Sequence, residues 1–144
     1  MSIRSHYQTH IDVITESIPS AYNPSIDEFV DLLLNCKGKI FFTGVGKNGH
    51  VAAKATSTFS SIGVSCFFID PVDSVHGDMG VINEDDILVA VSKSGNTEEL
   101  IHFLKHVKYK NCKIVSIHSN PKNKSLKYSS LDINLHVRKE ADHL

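Results

Sequence analysis

Ser92, Lys93, Ser94, Gly95 and Thr97 stand together in VAVSKSGNTEEL, residues 89–100, where a run of small apolar residues gives way to hydroxyls and then to an acidic, helix-forming stretch. A helix N-terminus offers unpaired backbone N–H groups and partial positive charge. Small hydroxyl side chains add donors without blocking the approach, so a phosphate fits there. Gly95 lets the backbone come close. The same residues also suit a plain cap, with Ser94 or Thr97 accepting from the helix and Glu98 and Glu99 favouring its dipole. The loop by itself does not separate the two readings.

A second glycine-rich stretch, TGVGKNGH at 43–50, sets Gly44, Gly46 and Gly49 around Lys47 and Asn48. Its G-x-G-x-x-G spacing is a weak dinucleotide signal, because the acidic Asp70 after the next apolar run is followed at once by Pro71 and a polar loop. Lys47 is the more telling residue. A lysine in a glycine-rich strand end can neutralise a phosphate or polarise a sugar oxygen, and a solvated lysine is the alternative. In DPVDSVHGDMGVI, residues 70–82, His76 is either a general acid or base or a hydrogen-bonded loop histidine. His102 and His106 lie four residues apart, but they share a helix face with Glu98 and Lys105, opposite Leu100, Leu104 and Val107. Two imidazoles without a third ligand make an incomplete zinc site, so they read as a solvated face, and the expectation is a site without metal or cofactor.

The elements that must position these residues follow from periodicity. Ile11, Ile14 and Ile18 recur at helical spacing, and Pro19 is expected to end that helix. Ser25 is expected to cap a second one carrying Phe29, Leu32 and Leu33 on its apolar side and closed by Cys36 and Gly38. KIFFTG, VSCFFID, DILVAVS, CKIVSIHS and DINLHV are short β-branched or aromatic runs, with segments of helical length at 49–62 and 97–109. Strands alternating with helices predict a three-layer αβα sandwich around a mainly parallel five-stranded sheet. Ligands in such sheets bind beyond the carboxyl ends of strands, where SKSGNT and GVGKNG fall. Residues 119–130 read as a loop with a short helix at most.

At 144 residues the chain suits one core, and 41% hydrophobic with 22% charged residues is an ordinary globular balance. A formal net charge of −1 gives no electrostatic case for nucleic acid or an anionic membrane. The three cysteines are well separated, which disfavours a disulfide framework and suits a reducing, cytoplasmic compartment. The N-terminus carries no basic-then-apolar leader and no run is long enough to span a bilayer, so no membrane partner is expected.

Taken together, GKIFFTGVGKNGHVAAKATSTFSSIG, HGDMGVINEDDILVAVSKSGNTEEL and VRKEA resemble the sugar isomerase (SIS) domain, and within it the arabinose-5-phosphate isomerase family. The resemblance runs from about Gly38 to Ala141 and implies a flavodoxin-like α/β domain over 37–144, with a helical segment over 1–36 expected to pack on it. It implies that Ser92, Lys93, Ser94, Gly95 and Thr97 hold the phosphate of a phosphosugar, with Gly46 and Asn48 close to the substrate. It places Lys47, His76, Glu99 and Glu140 at the catalytic positions of an aldose–ketose isomerase, working through a cis-enediol between D-ribulose 5-phosphate and D-arabinose 5-phosphate. A homo-oligomer, dimer or tetramer, with the site shared between subunits is implied as well. Asn48 and Asn96 replace the family's serine and glutamate, and Asp142 stands where the family has the cysteine of K-E-A-C-P. The family continues beyond that point through a proline- and threonine-rich loop, a long helix and a further histidine, so a domain short at its C-terminus and lacking the tandem CBS domains is expected. Two readings follow: an isomerase, or a catalytically weak or inactive phosphosugar-binding regulatory module.

Overall fold

The structure, a computed structural model, describes residues 2–137. Helices α1 (Ile3–Ala21) and α2 (Pro24–Leu34) precede β1 (Ile40–Thr43), α3 (Lys47–Ser61), β2 (Cys66–Phe68) and the one-turn α4 (Pro71–Ser74). β3 (Ile87–Val91), α5 (Glu98–Val107), β4 (Lys113–His118) and β5 (Leu131–Asn134) complete the chain. Short 3-10 turns occupy 78–81, 108–110 and 125–127. The five strands form one sheet in the order β2-β1-β3-β4-β5, and every pairing is parallel.

Both faces of this sheet are covered, which is why its strands are apolar runs without polar alternation. On one face Phe41, Leu88, Ala90 and Ile114 pack with Leu100, Phe103, Leu104 and Val107 of α5. The other face sets Ile40, Phe42, Val89, Val115 and Ile133 against Ala52 of α3 and the partly buried Phe29, Leu32 and Leu33 of α2. Phe103, fully buried, completes the α5 stripe at positions 100, 103, 104 and 107. The connection from β2 to β3 carries only the one-turn α4 and a 3-10 turn in place of a long crossover helix, and Phe67 and Phe68 are partly exposed on the edge strand.

Three local expectations need correction. Pro19 lies inside α1, which continues to Ala21. The proline removes one amide donor, but the Ser20 hydroxyl donates to Ser17 O at 2.7 Å and Tyr22 N to Pro19 O at 3.3 Å, so the last turn holds. The second helix is capped by Asn23, not Ser25: Asn23 Oδ1 accepts from Ser25 N at 2.9 Å, and Pro24 occupies the first helical position, where a missing N–H costs nothing. Its C-cap is Asn35, ahead of Cys36 and Gly38, with its side-chain amide donating to Asp31 O at 2.7 Å.

A buried carboxylate that periodicity does not announce ties the sheet's lower edge. Asp86, 1% exposed, accepts from Lys39 N and Asn83 N, each at 2.7 Å, and ion-pairs Lys39 Nζ at 3.3 Å. It thereby clamps the turn entering β3 to the start of β1.

Candidate phosphate and sugar site

In the order β2-β1-β3-β4-β5 the chain leaves β1 toward one edge and returns at β3 on the other side. The loops after these two strands diverge and open a crevice at their carboxyl ends, the switch point where ligands of such sheets bind. TGVGKNGH and SKSGNT are these two loops. Gly44 and Gly49 make the first one possible. A Cβ on Gly44 would meet Asn48 O and Val91 O at 2.9 Å, and one on Gly49 would meet Gly44 O at 2.7 Å, so β1, β3 and the start of α3 approach too closely for any side chain.

The helices that leave this crevice differ from the others at their N-termini. α1, α2 and α4 are capped by side chains of Ser2, Asn23 and Asp70. α3 starts from Gly46, at φ 59°, and α5 from Thr97, and neither has a side-chain cap. Of the two capping residues expected for α5, Thr97 turns its hydroxyl to Ser92 Oγ, 3.3 Å away, and Ser94 Oγ accepts from Asn96 N at 3.1 Å. Two helix N-termini thus face the switch point without a side-chain cap, although Glu98 and Glu99 lie in the first turn of α5.

The SKSGNT loop is built as a rigid ledge. Ser92, 4% exposed, accepts from Gly95 N through Oγ at 3.1 Å, and its own N–H donates to Ile117 O at 3.0 Å. Gly95 sits at φ 61°, where a Cβ would collide with the Asn123 side chain. Residues 119–125 brace the loop from the far side: Ser119 N donates to Lys93 O at 3.0 Å, Asn120 Nδ2 to Ser94 O at 3.2 Å, Lys124 N to Asn96 Oδ1 at 2.9 Å and Ser125 N to Gly95 O at 3.1 Å. The sequence marks 119–130 as a loop with a short helix at most but not as a brace, although Asn and Pro directly after a strand are the available signal.

Asn48, Lys93, Ser94, Ser119, Asn120 and Val137 line one hollow at the strand ends, so the two loops do meet. Glu99 lines a neighbouring hollow with Glu98, His102, Pro71, Val72 and Val75, one residue before His76. Lys47 and His76 are exposed. Among the described residues no hydrogen bond or ion pair joins Lys47, His76 and Glu99 to one another. Glu140 lies outside the described residues. His102 and His106 stack edge-on, with ring centroids 4.7 Å apart on the exposed side of α5, and no group of three metal-ligating side chains occurs among the described residues.

A family model described as the SIS domain matches residues 33–144. The chain belongs to the SIS domain family. It is 32% identical to the Arabinose 5-phosphate isomerase KdsD of Francisella tularensis, over 98% of this chain and 46% of that protein. It is 37% identical to the Arabinose 5-phosphate isomerase KdsD of Pseudomonas aeruginosa, over 80% of this chain and 36% of that protein. A structure from Escherichia coli CFT073, solved in complex with arabinose 5-phosphate, superposes with a TM-score of 0.89 at 29% identity, covering 98% of this chain and 74% of that one. The SIS domain described here therefore spans less than half the length of these two curated relatives. No helix among its described residues is long and apolar enough to cross a membrane.

Proposed function

We propose that this SIS domain binds a five-carbon phosphosugar and interconverts D-ribulose 5-phosphate and D-arabinose 5-phosphate. The observation that carries the reading is the pair of helix N-termini without side-chain caps, converging on the serine- and lysine-bearing ledge at the β1/β3 switch point. A dianionic phosphate there gains backbone N–H donors, the Ser94 hydroxyl and the Lys93 charge. The sugar then extends from the ledge toward Asn48 on one side and the Glu99 hollow on the other. Starting from the aldose and going to the ketose, a base removes the proton from C2, and the electron pair enters the C1–C2 bond as the cis-enediolate. A proton is delivered to C1, and a second passes from the C2 oxygen to the C1 oxygen. Lys47 is assigned to the developing enediolate charge, and His76, Glu99 and Glu140 to proton handling and to orienting the sugar hydroxyls. The similarity to two proteins named as arabinose 5-phosphate isomerases supports this choice of sugar.

The same reading takes residues 1–36 as a helical arm on a domain over 37–144, and the assembly as a homo-oligomer. Support comes from α1, which has no buried residue and exposes Ile3, Tyr7, Ile11, Ile14 and Ile18 as one row. Its partly covered side carries His6, Thr9, Val13, Ser17 and Ser20, so the apolar row faces away from its own domain. Five large apolar side chains exposed in one row are the kind of surface that a standard interface, ~800 Å² per partner, buries. A second copy of the same helix matches it by two-fold symmetry. The free Cys36, Cys66 and Cys112 fit a reducing, cytoplasmic setting.

The test is exchange of the C2 proton of D-arabinose 5-phosphate in deuterated buffer, followed by NMR. Exchange that disappears in Lys47→Ala supports the isomerase. The exposure of Lys47 and His76 favours a second reading, a phosphosugar-binding module without turnover. Saturable binding with no exchange would establish that one instead.

A further inference from the structure

His118, the last residue of β4, is a buried titratable group that the proposed chemistry does not use. It is 2% exposed, and neither ring nitrogen has a hydrogen-bond partner. Register places it under the ledge. Val91 pairs with Ile117, so Ser92 and His118 are neighbours, and by strand alternation both fall on the α5 face with Leu88, Ala90 and Ile114. The residues on either side of the histidine hold the loop directly, Ile117 O accepting from Ser92 N and Ser119 N donating to Lys93 O.

Two of the polar atoms on the neighbouring strand β5 are acceptors without a hydrogen bond to the ring. Asp132 Oδ2 of β5 lies 3.6 Å from Nε2, outside hydrogen-bond reach, and is half exposed. Asn134, the register partner of His118, has a buried Oδ1 with no partner. From β3 the neighbour is Ser92. α5 turns Leu100, Phe103, Leu104 and Val107 inward and leaves Glu98, Glu99, His102, Lys105 and His106 exposed, while Tyr128 is partly buried against the same core and Lys127 is exposed. Asp132 is therefore the charged group that acts on the ring. A neutral imidazole, with one donor and one acceptor, suits two acceptors poorly. An imidazolium, with two donors, suits them well but must lose its water.

We infer that His118 is a conditional cation: neutral while the loop is empty, and protonated when a phosphate occupies the loop. The inference rests on the phosphate reading of SKSGNT. Burial pushes the His118 pKa below its usual value and Asp132 opposes that shift, so the opposed effects leave the balance open to a nearby anion. A bound phosphate supplies negative charge on the side away from Asp132. By reciprocity, a proton that binds more tightly when phosphate is present makes phosphate bind more tightly when the proton is present.

The experiment is an NMR titration of the His118 ring, assigned through the backbone, between pH 5 and 8, with and without saturating D-arabinose 5-phosphate. The expected result is an upward move of about one pKa unit on saturation. A matching gain of about tenfold in wild-type affinity relative to His118→Asn should develop between pH 8 and pH 5, since one pKa unit corresponds to a tenfold affinity ratio. Titration of the ligand's own phosphate is common to both proteins and leaves that ratio unchanged. A purely structural role for His118 would lower affinity by the same factor at every pH. Binding without an upward His118 shift overturns this inference alone, and absence of saturable binding removes the phosphate reading with it.

Discussion

Ser92 and Ser94 are two residues apart and carry the same hydroxyl, yet their surroundings assign them different work. Ser92 is buried and accepts from Gly95 N, so it belongs to the ledge, whereas Ser94 is exposed on the hollow shared with Asn48. Ser92→Ala is expected to lower unfolding stability by about 1 kcal/mol, the net worth of a hydrogen bond, read by urea denaturation. Ser94→Ala should leave stability unchanged and weaken phosphosugar binding roughly tenfold, since a hydrogen bond to a charged group is worth about 1.5 kcal/mol. Equal effects of the two substitutions on stability would contradict the division. Gly95→Ala combines a left-handed backbone at φ 61° with a collision against Asn123, and should cost about 1–3 kcal/mol and loosen the 119–125 strap as well. If thermal melts show no loss for Gly95→Ala, the ledge is not the rigid element drawn from its hydrogen bonds.

At the level of elements, α1 is the part that its own domain explains least. A 19-residue helix is about 28 Å long, and one that buries none of its apolar row is not held by tertiary packing on that side. The paired substitution Ile11→Glu, Ile14→Glu should shift the protein to a monomer in sedimentation equilibrium while far-UV circular dichroism stays near wild type. A wild-type protein that is already monomeric near ~100 μM would remove the second copy from this face. The strands and α5 were readable in sequence because burial on both faces makes each strand an unbroken apolar run and α5 a single stripe. The end of α1 was not, because Pro19 signals a stop locally while the Ser20 hydroxyl and Tyr22 N–H complete the last turn. Of the candidate site, its location was legible: SKSGNT and GVGKNG meet at the strand ends, where the periodicity predicts. Asp86, His118 and the strap at 119–125 act through contacts between segments distant in sequence, and no local pattern encodes those.

For the whole molecule, burial of two titratable side chains shapes stability against pH from opposite ends. Burial, reinforced by the negative charge of Asp86, pushes the Cys112 thiol up to about 11 from 9.0. The folded protein then retains a proton that the unfolded chain releases, so stability is fully present below pH 9 and falls as pH rises from 9 toward 11. His118 works in reverse. Its folded pKa lies below the usual value because of desolvation, so the unfolded chain takes up the proton first, and stability is lost as pH falls below about 6.5. Guanidinium titrations across pH 5 to 10 should therefore give a plateau in the neutral range with a decline on each side. Cys112→Ala should flatten the alkaline limb and His118→Asn the acid limb, each leaving the other in place. Saturating D-arabinose 5-phosphate should also flatten the acid limb of the wild type, because a ligand that raises the folded His118 pKa narrows the gap to the unfolded value. The alkaline limb, which depends on Cys112 at the opposite end of β4, should keep its slope. An acid limb that keeps its slope in His118→Asn would mean that another of the nine histidines carries the acid sensitivity.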